Sequence, residues 1–259
     1  MTAGSTPPTG PAVSDADRDH YSYTVYADPA MAETFDRARF GGPIGQLLAD
    51  TQARLLREYA GAGGGGAVLD IGTGTGRAAL VLAEAGATVT AVDASAEMLR
   101  VAEGRARARG AAIVFAVGDA HHLAYPDGAF DTVVSLRVLM HTPDWRRCLA
   151  EACRVARCRV IVDYPAAFSV AALQSSARRA AHALGARTEP YRVFTARDIR
   201  DEFARAGFRV VRQHRQFVLP IAVHKRLGSR ALTERVERSL SALGLLSLAG
   251  SPVTVLAQR

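Results

Sequence analysis

Residues 67–95 read AVLDIGTGTGRAALVLAEAGATVTAVDAS, and the order of residue types in this stretch decides the fold. Residues 67–71 form a short apolar run bounded by glycines, the signature of a buried parallel strand. Gly72, Gly74 and Gly76 follow at a spacing of two. Residues 77–85 have helical composition and stop at Gly86. Residues 87–92 form a second β-branched run, closed by Asp93. Such a strand–turn–helix–strand unit puts a glycine turn at the carboxyl end of the first strand, where open α/β sheets bind ligands. Glycine admits positive φ and lets backbone approach a ligand closely.

The ligand is not read as a dinucleotide. The dinucleotide fingerprint is G-x-G-x-x-G, whereas here position 77 is Arg and the turn runs G-x-G-x-G. Asp70 stands two residues before it, and a carboxylate there repels pyrophosphate but suits an ammonium or sulfonium. VLDIGTGTG followed by AVDAS closely resembles the first two motifs of the class I S-adenosylmethionine-dependent methyltransferases. GDAHHLAYPDGAFDTVVS, residues 118–135, resembles their third and fourth motifs, which extends the resemblance over residues 67–164. The sequence departs from it at residues 155–159, VARCR, where many relatives have a Pro-Gly-Gly turn, and this predicts a tighter or altered connection before the fifth strand.

The resemblance implies S-adenosylmethionine as cofactor and a Rossmann-like, doubly wound, seven-stranded sheet whose last strand is antiparallel. By the same resemblance, Gly72, Thr73, Gly74 and Gly76 would pass under the methionine part, with Asp70 near its ammonium. Asp93 would accept the ribose hydroxyls, Ala94 and Met98 would flank the adenine, and Asp119 would accept from its amino group beside the Ala120 backbone. Leu136 would meet the methionine moiety through its backbone. Other roles stay open: Asp93 as a helix cap, Asp119 as a turn former, Met98 as core filler, and Asp70 as an acceptor for turn amides.

The methyl acceptor is less legible, because an activated methyl group needs mainly alignment with its nucleophile. A general base is required only if the acceptor must lose a proton. His141, just past the fourth strand, is the candidate base, with a structural role as the alternative. His122 reads as structural or solvent-facing. Tyr21, Tyr26, Arg137 and Tyr164 are candidate substrate-binding residues, with Tyr23 in the same tyrosine cluster. The segment after the fourth strand, SLRVLMH at residues 135–141, lacks the Asn/Asp-Pro-Pro-Tyr pattern of enzymes acting on nucleic-acid amines. It resembles the broad group that includes the quinone-biosynthesis methyltransferases and points to an O, C or N atom of a small molecule.

Working outward, residues 1–16 are Pro, Gly, Ser, Thr and Ala with almost no bulky apolar side chain and are expected to be disordered. Residues 17–259 are expected to form one domain. Its segment 17–60 would make a helical cap that serves as a lid or packs on an outer face. Alternating strands and helices through residue 164 argue a parallel, doubly wound sheet. Thr195 is a plausible N-cap with Gly207 as the helix stop. Two long connections, residues 165–194 and 219–250, are expected to shape the acceptor pocket. The second mixes leucines with Lys225, Arg226, Arg230, Arg235 and Arg238, so it suits either an anionic lipid surface with a hydrophobic acceptor or an ordinary amphipathic helix.

The net charge of +7 is unevenly spread: residues 178–259 carry 16 basic and 6 acidic side chains. That excess could meet RNA or an acidic substrate, or could lie on solvated helix faces. Cys148, Cys153 and Cys158, at intervals of five, fit no zinc pattern, so no metal is expected; they read as small buried residues in a reducing compartment. No secretory pattern opens the chain, and residues 239–257 are interrupted by Ser, Gly and Pro, so a cytoplasmic protein is expected. The leading reading is a small-molecule methyltransferase. An RNA or protein methyltransferase and a non-catalytic cofactor-binding protein are the alternatives.

Overall fold

The computed structural model describes His20, Tyr23 and residues 28–61, 66–184 and 191–259. The quoted stretch folds as read: β1 (Ala67–Ile71), α3 (Arg77–Glu84) and β2 (Thr88–Asp93). Two helices precede it, α1 (Pro29–Phe40) and α2 (Gly42–Ala60). The chain continues through α4 (Ala96–Ala108), β3 (Ile113–Val117), β4 (Phe130–Ser135), α5 (Trp145–Val155) and β5 (Ala156–Tyr164). It then forms α6 (Val170–Ala183), α7 (Ala196–Arg205), β6 (Arg209–Phe217), α8 (Ile221–Leu227), α9 (Arg230–Ala242), α10 (Leu245–Ala249) and β7 (Ser251–Gln258).

The seven strands form one sheet in the order β3-β2-β1-β4-β5-β7-β6. All pairs are parallel except those of β7, which runs antiparallel to both β5 and β6. The order reverses between β1 and β4, and the crevice at the carboxyl ends of such strands is where open α/β sheets place ligands. Helices cover both faces. Leu69, Ile71, Val133 and Val160 point to one side, packed with Leu149 of α5 and Phe203 of α7. Val68, Val89, Val134 and Ile161 point to the other, packed with Leu55 of α2 and Leu82 of α3. Burial on both faces explains why these strands are continuously apolar rather than alternating.

Local chemistry sets the helix ends. Asp28 caps α1 by accepting from the Ala30 amide at 2.8 Å, with proline in the first turn. Thr195 and Asp198 form a reciprocal capping box at the start of α7. α5 runs into β5 with no intervening residue, which is the tighter connection that VARCR foreshadows.

One expectation fails there. Cys148 and Cys153 are buried, but Cys158 is exposed. The pairing explains it: Phe130 faces Ala156 and Thr132 faces Arg159, so Asp131 alone opposes both Arg157 and Cys158. Two residues against one make a bulge, which leaves the extra residue without a ladder partner.

α1 is fastened to the glycine turn. The Asp36 carboxylate accepts from Thr75 Oγ1 at 3.0 Å and pairs with Arg105 of α4, whose guanidinium also donates to the Thr75 carbonyl at 3.3 Å. Arg77, first residue of α3, stacks its guanidinium 3.3 Å from the centre of the Phe40 ring. Among the described residues no helix is long and apolar enough to cross a membrane. Nor is any group of three or more His, Cys, Asp or Glu side chains placed to hold a metal ion.

Candidate active site

The turn after β1 needs its first glycine for packing. Gly72 sits at φ 65°, and a Cβ there would lie 2.3 Å from Val138 Cγ2, on the segment after β4. Gly74, at φ 56°, has nothing within 4 Å of the same position, so it leaves open space above the turn. Gly76 does something different: it caps α3 at φ 81°, and a Cβ would lie 3.0 Å from Ala102 Cβ of α4. A side chain here would be blocked by α4, so close helix packing by itself calls for glycine at this position.

Because Gly76 has no side chain, the amides at the start of α3 need acceptors from elsewhere. Asp70 provides one. It is 1% exposed, and its Oδ2 accepts from Ala79 N at 3.1 Å and from Thr73 Oγ1 at 2.7 Å. Burial pushes its pKa up to about 7; the Thr73 and Ala79 hydrogen bonds oppose this, and nearby Asp93 adds to it. Asp70 therefore both ties strand to helix and lines the cavity.

Asp93 ends β2 and accepts from the Gly74 amide at 2.7 Å through Oδ2 and from the Ser95 amide at 2.9 Å through Oδ1. The helix cap is Ser95, whose hydroxyl accepts from Met98 N at 3.1 Å. Each carboxylate oxygen takes more than one hydrogen bond, so Asp93 keeps acceptor capacity toward the cavity. Burial raises its pKa against the lowering effect of these amides.

Asp119, 2% exposed, follows β3. Its Oδ1 accepts from the His121 amide at 3.0 Å, from Tyr23 Oη at 3.1 Å, and lies 2.7 Å from His121 Nδ1. Burial pushes its pKa up, but the His121 and Tyr23 hydrogen bonds outweigh it and hold the group below the ordinary carboxylate range. Among the described residues all of these bonds fall on Oδ1, which leaves Oδ2 to the cavity. His121 and Tyr23 are thus the partners that position Asp119, and the adjacent histidine, His122, instead meets Arg147 near the surface. Tyr21 and Tyr26 lie outside the described residues.

Two cavities meet at this edge. The first, of about 190 Å³, is bounded by the glycine turn, Asp93, Met98, Asp119 and Leu136, with Ala94 and Ala120 also in its wall. The N-terminal helices also border it, through Phe35, Phe40, Ala53 and Leu56. The second, of about 550 Å³, is bounded by residues of β5, α6, α8 and the ends of β6 and β7. Phe40, Gln52, Arg137 and His141 border both. The sequence reading missed Phe40, Gln52 and Arg77 in the first cavity. An aromatic at the end of an amphipathic helix reads as core until the helix is seen against the turn.

Arg137 adopts φ 63°, rare for a residue with a side chain, and its amide donates to the buried Asp163 carboxylate. Tyr164 is 2% exposed and reaches the second cavity from the end of β5, edge-on to Phe194 at 6.0 Å. His141 is buried between the cavities. Desolvation, then the positive charges of Arg137, Arg39 and Arg178, hold its pKa well below the ordinary histidine value, so it is neutral at pH 7 and a weak base.

Comparisons with known proteins bear on this geometry. Residues 69–160 match a family described as "Methyltransferase domain". The chain is 42% identical over 64 residues to an ajmaline N-methyltransferase of Rauvolfia serpentina, and 38% identical over 104 residues to a malonyl-[acyl-carrier protein] O-methyltransferase of Geobacter sulfurreducens. These alignments cover 24% and 37% of this chain and span only 22% and 38% of the relatives' lengths. In fold, it matches a magnesium protoporphyrin IX methyltransferase of Synechocystis PCC 6803, solved with bound SAH. The TM-score is 0.63 at 20% identity, covering 91% of this chain and 98% of the other. The matched motifs run from β1 into β5 and carry the turn, Asp93 and Asp119. Residues 69–160 thus resemble a methyltransferase domain, and the seven-stranded sheet that carries them is the fold shared with the Synechocystis enzyme.

Proposed function

We propose that this protein transfers a methyl group from S-adenosylmethionine to an O, C or N atom of a small-molecule acceptor. The observation that carries this reading is the pair of cavities sharing Phe40, Gln52, Arg137 and His141 at the carboxyl ends of β1 and β4. One cavity has the cofactor's chemistry and the other is of a size for a small organic ligand. The open space over Gly74 and the acceptor capacity of Asp93 and Asp119 fit an adenosyl group. Gly72, Thr73, Gly74 and the Leu136 backbone would bear the methionine part, with Asp70 toward its ammonium. Asp93 would accept from the ribose, Asp119 Oδ2 from the adenine amine, and Ala94, Met98 and Ala120 would enclose the ring. When bound, the cofactor supplies a methyl group already activated on a sulfonium. The chain's own task is to hold the acceptor atom in line and exclude water. The basic C-terminal stretch supports an RNA reading less well where its arginines are paired within the chain: Arg205 with Glu202, Arg212 with Glu58, and Arg230 with Asp50 and Glu234.

Calorimetric titration tests the cofactor. S-Adenosylmethionine is expected to bind at micromolar concentrations and NAD not at all; equal binding of both, or of neither, removes the proposal. Transfer of a labelled methyl group into an acceptor library then separates an enzyme from a protein that only binds the cofactor.

Affinity is also expected to depend on pH. Folded Asp70 holds its proton to about pH 7, whereas the ordinary value is 3.8. Its stabilising contribution is therefore complete below about pH 3.8 and lost as pH rises through 7. A cationic ligand favours the ionised form, so binding releases this proton below pH 7. Affinity should climb by up to about tenfold per pH unit toward neutrality and level off above it. Asp70→Asn should flatten the profile between pH 5.5 and 8.5; a wild-type profile that is already flat would refute the coupling.

A further inference from the structure

Arg77 brings a positive charge to the wall of the first cavity at a place where the fold itself does not call for one. It is the first residue of α3, where the helix dipole disfavours a cation. The side chain is partly buried. Among the described residues it has no carboxylate within ion-pair distance, and its N–H groups donate no hydrogen bond. Its guanidinium is stacked on the Phe40 ring, 3.3 Å from the ring centre. Stacking uses a face of the planar group and leaves the N–H donors at its edge. Asp36 acts on Arg77 at longer range, but that carboxylate is already engaged by Thr75 and Arg105. Burial pushes the pKa of Arg77 below the ordinary arginine value; Asp36 opposes this, and the charges of Arg105 and Arg137 add to it. Holding a desolvated cation without an ion pair costs free energy, and an anionic ligand offsets that cost.

We infer that Arg77 receives the α-carboxylate of S-adenosylmethionine and, with Asp70, recognises the zwitterionic head group of that cofactor. The inference rests on the assignment of the first cavity to S-adenosylmethionine. An amino-acid head group carries an ammonium and a carboxylate on one carbon, so it needs an acid and a cation close together. Asp70 and Arg77 both line the cavity and both meet the first turn of α3: Arg77 begins it, and Asp70 accepts from the Ala79 amide at 3.1 Å. The other two acids of the wall, Asp93 and Asp119, stand at the ends of β2 and β3, where uncharged donors of the ribose and adenine suit them. A guanidinium matches a carboxylate with two parallel hydrogen bonds. The Phe40 ring orients the guanidinium before any ligand arrives, which reduces the entropy lost on binding. Position 77 is where the dinucleotide fingerprint has its third glycine. The residue that breaks that pattern thus supplies the cation for the head group.

Calorimetry on the full chain tests this with S-adenosylmethionine and its decarboxylated form, which differ by the carboxylate alone. Wild type is expected to bind the first at least about 20-fold more tightly. Arg77→Gln should reduce that preference to under about threefold, by weakening S-adenosylmethionine while the decarboxylated form binds as in wild type or better. Arg77→Lys is a milder change that keeps the charge but not the planar fork, and it should lose part of the preference. Thermal melts confirm that both variants fold. An Arg77 that only holds α1 against the turn would instead weaken both ligands equally. Absence of a preference in wild type, a preference that survives both substitutions, or an equal loss for both ligands overturns the inference and leaves the cofactor assignment standing. Wild type that binds neither ligand overturns the cofactor assignment, and this inference with it.

Discussion

Replacing Asp93 by Ala should lower the affinity for S-adenosylmethionine by at least about 100-fold. The loss has two sources. The carboxylate has acceptor capacity for the ribose hydroxyls, and hydrogen bonds to a charged group contribute about 1.5–3 kcal/mol each. It also accepts from the Gly74 and Ser95 amides at 2.7 and 2.9 Å, so it holds the glycine turn against the start of α4. Removing it would withdraw the proposed ribose contact and loosen the turn that its Gly74 hydrogen bond holds. Asn at this position keeps one acceptor oxygen and should lose about tenfold. Calorimetry on wild type and both variants, with thermal melts to confirm folding, measures the effect. An Ala variant that binds within threefold of wild type would contradict the role given to this side chain.

The second large effect is expected at Glu237, a residue remote from the glycine turn. Its carboxylate, 8% exposed, accepts from the Val218 amide at 2.8 Å, from the Leu219 amide at 3.0 Å, and lies 2.8 Å from His224 Nε2. Thr233 Oγ1 meets the other ring nitrogen of His224 at 3.2 Å, and His224 is fully buried. One acceptor thus ties α9 to α8 and to the chain leaving β6, and that chain, residues 218–222, borders the second cavity. Glu237→Ala strands buried donors, a change that typically costs about 3–5 kcal/mol. For a chain of this size that corresponds to a fall in melting temperature on the order of 10 °C, if the insertion melts with the rest. Hydrogen exchange should find amides of α8 and α9 deprotected while β1 to β3 remain slow. Cofactor affinity should persist while the acceptor's KM rises. A variant that melts within 2 °C of wild type, with unchanged exchange, would refute the clamp.

The glycine turn and its acids were legible because their chemistry is local. A five-residue apolar strand, a positive-φ turn and a carboxylate at the next strand's end occupy 27 residues of continuous chain. The order of the strands came from resemblance, since periodicity identifies strands but does not arrange them. The packing of Gly76 against Ala102 was not legible, because spacing alone does not say what a glycine faces. Cys158 was misjudged because a bulge changes which side chains are covered, and no glycine or proline marks this one. The second cavity was out of reach: Arg39, Arg137, Arg178 and Lys225 of its lining span nearly 190 positions and share nothing in their neighbouring sequence. Only the sheet, by returning each connection to one edge, brings them together.

The reversal of β7 has a consequence for how such a chain can diversify. Tyr164 at the end of β5 pairs with Val253 near the start of β7, and Phe217 at the end of β6 pairs with Ser251. Everything between β6 and β7 is therefore delivered to the same rim as the glycine turn, although it is joined only to the sheet's far side. Those residues can be lengthened, shortened or exchanged without disturbing the register of β1, β2 and β4. Inheritance is thus divided within a single sheet. One half carries the glycine turn, and the other brings a single contiguous genetic segment to the same rim, where it can change by itself.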